Sequence, residues 1–290
     1  MLSIGCRLCG GVKLTAFGDF NLWVSNEAVV HREGVSTLLV RCRDCGVVFC
    51  DSMPTEELHS EYEESYYAGD IVLEEHIEFL YSLRFNKLRA LMKIDDRILD
   101  FGCGKGYFLD CLRQRKFRYL TGVELNQHAL ESLHQRKYTV ANDIEKVATR
   151  GSFDCITLFH VLEHIDQPAL FLRSLKSYLR PGGRIVIEVP NIRSYGFRRF
   201  KGNWFYLQRE HLYYFNPESL HALAHKAGFQ VESNYDFGGF WVTKGTSGRN
   251  KLIKLPVVMK KGLIYAYFKV CDWFHLHDFT GIVLRNEIES

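Results

Sequence analysis

The chain has 290 residues, 47% of them hydrophobic and 24% charged, with a formal charge of +3. That is enough apolar mass for a full core and too little charge to draw the whole molecule onto nucleic acid. Met1-Leu2-Ser3-Ile4-Gly5-Cys6 lacks the basic-then-apolar order of a signal peptide, and no run approaches the roughly 18 uncharged apolar residues of a membrane span. The nine cysteines therefore point to a reducing, cytoplasmic setting with thiols kept free or on metal. No internal repeat or low-complexity tract interrupts the chain.

The first predicted unit, residues 1–52, is built on two knuckles. Cys6-x-x-Cys9 precedes Gly10-Gly11, and Cys42-x-x-Cys45 precedes Gly46. Each knuckle can aim two thiolates at one ion, and together they predict a closed tetrahedral Zn2+ site in a small zinc-ribbon-like domain, with the 32 intervening residues forming a hairpin or sheet. A four-thiolate site has no open position, so this metal is structural. Cys50, Cys103, Cys111, Cys155 and Cys271 show no ligand spacing and read as small core residues.

Residues 53–95 form a helical linker, with helical runs at 56–62 and 74–92 separated by Tyr66-Tyr67-Ala68-Gly69-Asp70. Ile98-Leu99-Asp100-Phe101 then reads as a buried strand, Gly102, Gly104 and Gly106 turn the backbone, and Phe108, Leu109 and Leu112 follow at helical spacing. Such a strand–turn–helix leaves bare backbone N–H groups beside a ligand. A second strand, Tyr119 to Val123, ends eighteen residues past Gly106 in Glu124, where an acid can accept from both hydroxyls of a ribose. Further strands are predicted at Tyr138 to Asp143, Phe153 to His160 and Arg184 to Pro190, with a helix from Gln167 to Leu179 that ends at Pro181-Gly182-Gly183. The single-residue glycine spacing departs from the dehydrogenase pattern, whose third glycine comes three residues after the second.

The order from Asp100-Phe101-Gly102-Cys103-Gly104-Lys105-Gly106 through Glu124, Asp143 and Val161-Leu162-Glu163-His164 to Leu179-Arg180-Pro181-Gly182-Gly183 resembles the class I S-adenosylmethionine-dependent methyltransferase family over about residues 85–245. The resemblance implies an α/β, Rossmann-like sheet with helices on both faces across 96–290. It implies S-adenosyl-L-methionine as cofactor, with Gly102, Gly104 and Gly106 wrapping its methionine part and Cys103 and Phe159 beside it. Glu124 would hold the ribose, Leu125 and Ile144 would sandwich the adenine, and Asp143 would meet the adenine amine or cap the following helix. Asp100 would order the loop or reach the amino group. Similar enzymes use N-terminal helices as a lid, so Tyr62, Tyr66 and Tyr67 either line the acceptor entrance, with Tyr66 and Tyr67 reaching the methionine end of the cofactor, or pack on the catalytic domain.

For the acceptor side, His160 and His164 lie at the carboxyl end of the fourth strand, where open parallel sheets place their sites. In the similar ubiquinone-pathway O-methyltransferases this region carries a metal-binding cluster of acids and a histidine. Here His160, Glu163 and His164 occupy those places, with His160 replacing an acid; His160 reads as the site floor and the other two as loop structure. The block Gln208-Arg209-Glu210-His211-Leu212-Tyr213-Tyr214-Phe215 resembles bacterial methyltransferases of sugars and cell-surface glycans, although Gln208 stands where nucleotide-sugar C-methyltransferases place a tyrosine. An imidazole titrates near neutrality, so His211, oriented by Glu210, is the expected general base; alternatively His211 and Tyr214 hold the loop against the sheet. Asn216-Pro217 opens a helix as N-cap and first helical residue.

A sixth strand is expected at Phe229 to Phe237, then an inserted helical segment at about 249–275 and a last strand at Gly281 to Leu284. The basic, aromatic insert reads as a helix pair packed on the core, with peripheral membrane contact as the other reading. The expected function is methyl transfer to a hydroxyl of a small molecule or glycan, a sugar-type acceptor foremost. RNA methylation is the alternative, using the zinc domain and the basic stretch Arg193, Arg198, Arg199 and Lys201 with Tyr195, Phe197 and Trp204 interleaved.

Overall fold

The computed structural model describes residues 5–22, 36–51, 74–238 and 257–287. The tyrosines at 62, 66 and 67, and residues 249–256 of the insert, lie outside the described residues.

Two sheets organise the molecule. The larger runs in the order β10-β11-β8-β7-β4-β5-β6. Its strands are β4 (Arg97–Phe101), β5 (Tyr119–Val123), β6 (Thr139–Ala141), β7 (Phe153–Phe159), β8 (Leu179–Pro190), β10 (Gln230–Phe237) and β11 (Phe279–Arg285). From β6 to β8 all neighbours are parallel, and β11 lies antiparallel between β8 and β10. Its crossover helices are α2 (Tyr107–Gln114), α3 (Gln127–Gln135) and α4 (Pro168–Lys176). Covered on both faces, β7 and the second half of β8 can be almost wholly apolar, and their residues are nearly all buried. The chain leaves β4 toward β5 in one direction and later passes to β7 on the other side, so the crevice at the carboxyl ends of β4 and β7 is the switch point where α/β sheets bind ligands.

The Pro181-Gly182-Gly183 turn falls within β8. Phe153 pairs with Leu179 but Cys155 with Arg184, so Arg180 to Gly183 bulge out of the ladder. Asn286 closes that bulge by bonding to both Gly182 and Gly183 through its backbone.

The smaller sheet is antiparallel, in the order β1 (Leu14–Asn21), β2 (Ser36–Cys42), β3 (Val48–Cys50) and β9 (Tyr213–Tyr214). Its fourth strand comes from the far side of the chain: Val48 pairs with Tyr214 and Phe49 with Tyr213. Leu8, Val40, Val47 and Phe49 share one apolar cluster with Leu99, Ile156, Ile187 and Phe215. The knuckle module is therefore packed into the core of the larger unit.

The remaining helices are α1 (Glu74–Leu88), α5 (Tyr195–Phe200), α6 (Pro217–Lys226) and α7 (Val257–Phe274). α6 begins as its sequence predicts: Asn216 caps it, Ser219 completes a capping box, and Pro217 takes the first helical position. Of the predicted insert, α7 is the helix among the described residues. The five cysteines without ligand spacing are all buried.

Candidate functional site

The turn after β4 takes its shape from three glycines with left-handed φ, +71° at Gly102, +53° at Gly104 and +80° at Gly106. A Cβ on Gly102 would stand 2.5 Å from Val161 Cγ2, and one on Gly106 the same distance from Leu133 Cδ2. The loop thus needs glycine for both backbone angle and space. Arg136 ties it down, donating to the Lys105 carbonyl and pairing with Asp110 in α2.

Glu124 faces this loop from the end of β5. Its Oε2 accepts from Gly104 N at 2.7 Å, and its Oε1 accepts from Leu125 N at 2.8 Å and Asn126 N at 3.0 Å. Asp100 is buried beneath, accepting from Thr157 Oγ1 at 2.6 Å. Burial pushes its carboxyl up to about 7, against the pull of Thr157 and Arg84. A tight glycine turn at the carboxyl end of β4, with the Glu124 carboxylate beside it, fits the cofactor that the sequence resemblance implies.

The other expected cofactor contacts are placed unevenly. Leu125 is 68% exposed, free to cover a flat ring. Asp143 caps the short 3-10 turn Ile144–Lys146 through Glu145 N at 2.9 Å. The side chains of Cys103, Ile144 and Phe159 are packed into apolar clusters, Cys103 against Gly122 and Phe159 edge-on to Phe108.

At the carboxyl end of β7, His160 sits at φ +58°, a strained conformation for a residue with a side chain. Its N–H donates to the Glu188 carbonyl at 2.9 Å, which fixes the turn. Its Nδ1 lies 3.5 Å from Glu163 Oε1 and its Nε2 lies 3.6 Å from Glu188 Oε1; the imidazole is 31% exposed while both carboxylates are buried. Phe279 meets the imidazole edge-on with ring centres 4.5 Å apart, and Tyr206 lies parallel at 6.5 Å.

Glu188 is held from behind by Arg84 of α1, whose Nη2 and Nε donate to Oε1 at 2.6 and 3.1 Å. The guanidinium lies 4.6–4.9 Å from the ring centres of Tyr81, Phe159 and Phe237. Burial works against its charge, but Glu188 and Tyr81 outweigh that and keep Arg84 protonated. For Glu163, burial would raise the carboxyl, yet the contact with His160 and the nearby imidazoles of His164 and His211 bring it below its usual value.

His211 is not at the surface of this site. It is buried, its Nδ1 bonds the Tyr206 carbonyl at 2.9 Å, and its ring meets His164 edge-on at 4.8 Å. His164 in turn bonds the Glu210 carbonyl at 3.1 Å. Burial, reinforced by His164, lowers the His211 pKa to about 3. The general-base role expected for His211 is therefore revised: geometry gives it the loop-holding role, and His160 is the half-exposed imidazole. Glu163, His164 and His211 offer ligand atoms within 4.8 Å of one another, and neither Glu163 oxygen has a hydrogen bond, so these three side chains could hold a divalent ion.

The depressed His211 has a consequence for stability. An unfolded chain protonates this imidazole near 6.5, whereas the folded protein refuses the proton until about pH 3. The unfolded state then binds the extra proton, so stability should fall as pH drops below about 6.5. Urea midpoints measured from pH 7 to 5 should decline less for His211→Gln than for the parent; parallel slopes would assign the decline to other groups.

At the N-terminal module, Cys6 Sγ lies 3.7 Å from Cys45 Sγ and Cys9 Sγ lies 3.6 Å from Cys42 Sγ, with all four sulfurs inside 4.8 Å. A tetrahedral Zn2+ with bonds of about 2.3 Å puts its sulfurs about 3.8 Å apart, so the four thiolates fit this ion. The hydrogen bond from Cys45 draws the Cys6 thiol down to about 5 despite burial, and Gly11 N donates to Cys9 Sγ at 3.3 Å. Such N–H···S bonds stabilise bound thiolates.

The larger sheet, with one antiparallel strand between its last two neighbours and a glycine turn after its first, defines the class I methyltransferase fold. A methyltransferase domain family model matches residues 73–234, and the chain belongs to that family. It is 33% identical over 104 residues to the ubiquinone biosynthesis O-methyltransferase of Aeromonas salmonicida, covering 33% of this chain and 43% of that protein. With the corresponding protein of Xanthomonas axonopodis pv. citri it shares 31% identity over 153 residues, covering 47% and 63%. The chain thus spans about half the length of the curated relatives it matches. Among solved structures it resembles the 1,6-didemethyltoxoflavin-N1-methyltransferase of Burkholderia thailandensis (TM-score 0.52, 16% identity, covering 89% of this chain and 98% of that one). It also resembles a SAM-dependent methyltransferase of Archaeoglobus fulgidus (TM-score 0.51, 23% identity, covering 78% and 99%). Both likenesses concern the fold.

Proposed function

We propose that the protein transfers a methyl group from S-adenosylmethionine to a hydroxyl of a small molecule, a sugar-type acceptor foremost, with His160 as the base. The carrying observation is the half-exposed imidazole of His160 between the buried carboxylates of Glu163 and Glu188, at the switch point of the sheet. When bound, S-adenosylmethionine supplies a methyl on a positively charged sulfur, already activated for displacement. Gly102, Gly104 and Gly106 leave room for its methionine part, and Glu124 is the ribose-binding acid. His160 would take the hydroxyl proton as the oxygen bonds to the methyl carbon and the carbon–sulfur bond breaks, its electron pair staying on the sulfur of S-adenosylhomocysteine, and the two carboxylates face the imidazolium charge this creates. Tyr206 and Phe279 form apolar walls beside the imidazole and limit water there. The ubiquinone-pathway relatives support a hydroxyl acceptor through their name, O-methyltransferase.

The RNA reading loses support from the packing of its aromatic residues. Phe197 and Trp204 are buried and so present no face for stacking bases, and Arg193 is paired with Glu218.

Asparagine tolerates a left-handed φ, so His160→Asn should keep the backbone while removing the base. Turnover should fall by about 10²–10⁴-fold with S-adenosylhomocysteine affinity unchanged. Retained turnover would sink His160 as the base. The acceptor class is read by labelled methyl transfer into separated pools of cell extract: label in sugars, small metabolites or lipids supports this reading, and label in nuclease-sensitive material overturns it.

A further inference from the structure

We propose that the outer face of α7 docks on an anionic lipid surface. Among the described residues ten large hydrophobic side chains are exposed, and five of them belong to this one helix. Leu263, Val270, Trp273 and Phe274 follow one another at intervals of seven, three and one, and with exposed Ala266 they form a single stripe. Trp273 is 81% exposed and Phe274 62%. The flank of the helix beside the stripe is already occupied: Ile264 and Phe268, with Tyr267 at the edge, pack in one cluster with Phe237 and, from α1, Leu80 and Leu83. The outer stripe is therefore not a core face awaiting its own fold.

Charge decides what the stripe fits. Between Gly238 and Cys271 the sequence carries seven Lys or Arg and no Asp or Glu, in a chain whose total is only +3. The rest of the sequence is thus net negative, and three of the seven, Lys260, Lys261 and Lys269, belong to α7 itself. The acid on α7, Asp272, is answered by Lys87 at 3.2 Å and His277 at 3.3 Å. Lys269 is exposed beside the stripe, with its ammonium 5.5 Å from the Tyr265 ring centre. A second copy of the chain would set this cationic segment against itself. A bilayer with anionic headgroups takes both features, the apolar stripe at the acyl boundary and Lys269 at the phosphates, and aromatic rings favour that depth. No helix among the described residues is long and apolar enough to cross a membrane, so the contact is one of lying on the surface.

Sedimentation with unilamellar vesicles tests the assignment. The protein should pellet with phosphatidylcholine vesicles containing about one-quarter phosphatidylglycerol at low ionic strength. It should stay in solution with phosphatidylcholine alone, and about 0.5 M salt should release it. The double substitution Trp273→Glu and Phe274→Glu should weaken vesicle binding at least about tenfold. Both side chains are exposed, so the melting temperature and basal methyl transfer should not move. Failure to pellet with anionic vesicles overturns the proposal, as does unchanged binding of the double variant. A concentration-dependent dimer that the double substitution abolishes, without vesicle binding, would assign the face to a second copy instead. Neither result bears on the methyl-transfer reading, which His160→Asn tests separately.

Discussion

Arg84→Met is expected to cost about 3–5 kcal/mol of unfolding free energy, more than any surface charge in the molecule. The guanidinium is the direct partner of Glu188, which is fully buried, and Oε2 of that carboxylate has no hydrogen bond of its own. Removing Arg84 strands a charge in an apolar setting of Phe159, Phe237 and Tyr81. The second substitution Glu188→Leu should recover most of the loss, because deleting both charges leaves nothing uncompensated. Urea unfolding of the two single variants and the double reads this directly. Additive losses would show that the residues contribute through packing and not through each other. Turnover should stay low even in the recovered double variant, since Glu188 also faces His160 Nε2.

Removing the metal expected on Cys6, Cys9, Cys42 and Cys45 should have the other large effect. Purified protein should carry one zinc per chain, and Cys45→Ser should lose it and melt lower by roughly 10 °C or more. The damage should extend beyond the knuckles. Asn216 Nδ2 donates to the Gly46 carbonyl at 2.7 Å, Cys50 N to the Leu212 carbonyl at 3.2 Å, and Lys226 Nζ to the Leu8 carbonyl at 2.7 Å. These bonds join the module to residues 212–226, where Leu212 N donates to the carbonyl of Glu163 beside His160, so acceptor turnover should suffer more than S-adenosylhomocysteine binding, which depends on β4 to β6. Full thermal stability without zinc would remove the metal from the folding account.

Much of the larger sheet was legible because its signals are local. The alternation of apolar runs with helical spacing marks each β–α unit, and the glycines after β4 name the turn that only they can make. The capping residues of α6 were legible for the same reason. What escaped were features made by residues distant in sequence. Nothing near Tyr213-Tyr214 marks them as a strand, since two residues carry no periodicity and their partner, β3, lies far upstream. Gly182 and Gly183 read as a helix terminator, but pairing with β7 on either side draws them into β8. At the site, His211 looked the better base because its neighbour Glu210 suggested an orienting pair. Burial decides otherwise, and sequence shows burial poorly for a polar residue. Arg84 was missed altogether: within a helix of mixed character it has no signal until Glu188 comes to meet it.

The pairing of Val48 with Tyr214 and Phe49 with Tyr213 also sets a schedule for synthesis. β3 leaves the ribosome 163 residues before its partner arrives. At about 5–20 residues per second, that gap lasts roughly 8–33 s. Throughout it the nascent knuckle sheet presents an unpaired, wholly apolar strand edge, Val48-Phe49-Cys50, of the kind that invites another chain. Early capture of zinc by the four cysteines would hold that edge rigid while it waits, so metal supply during translation should govern yield more than metal supply afterwards.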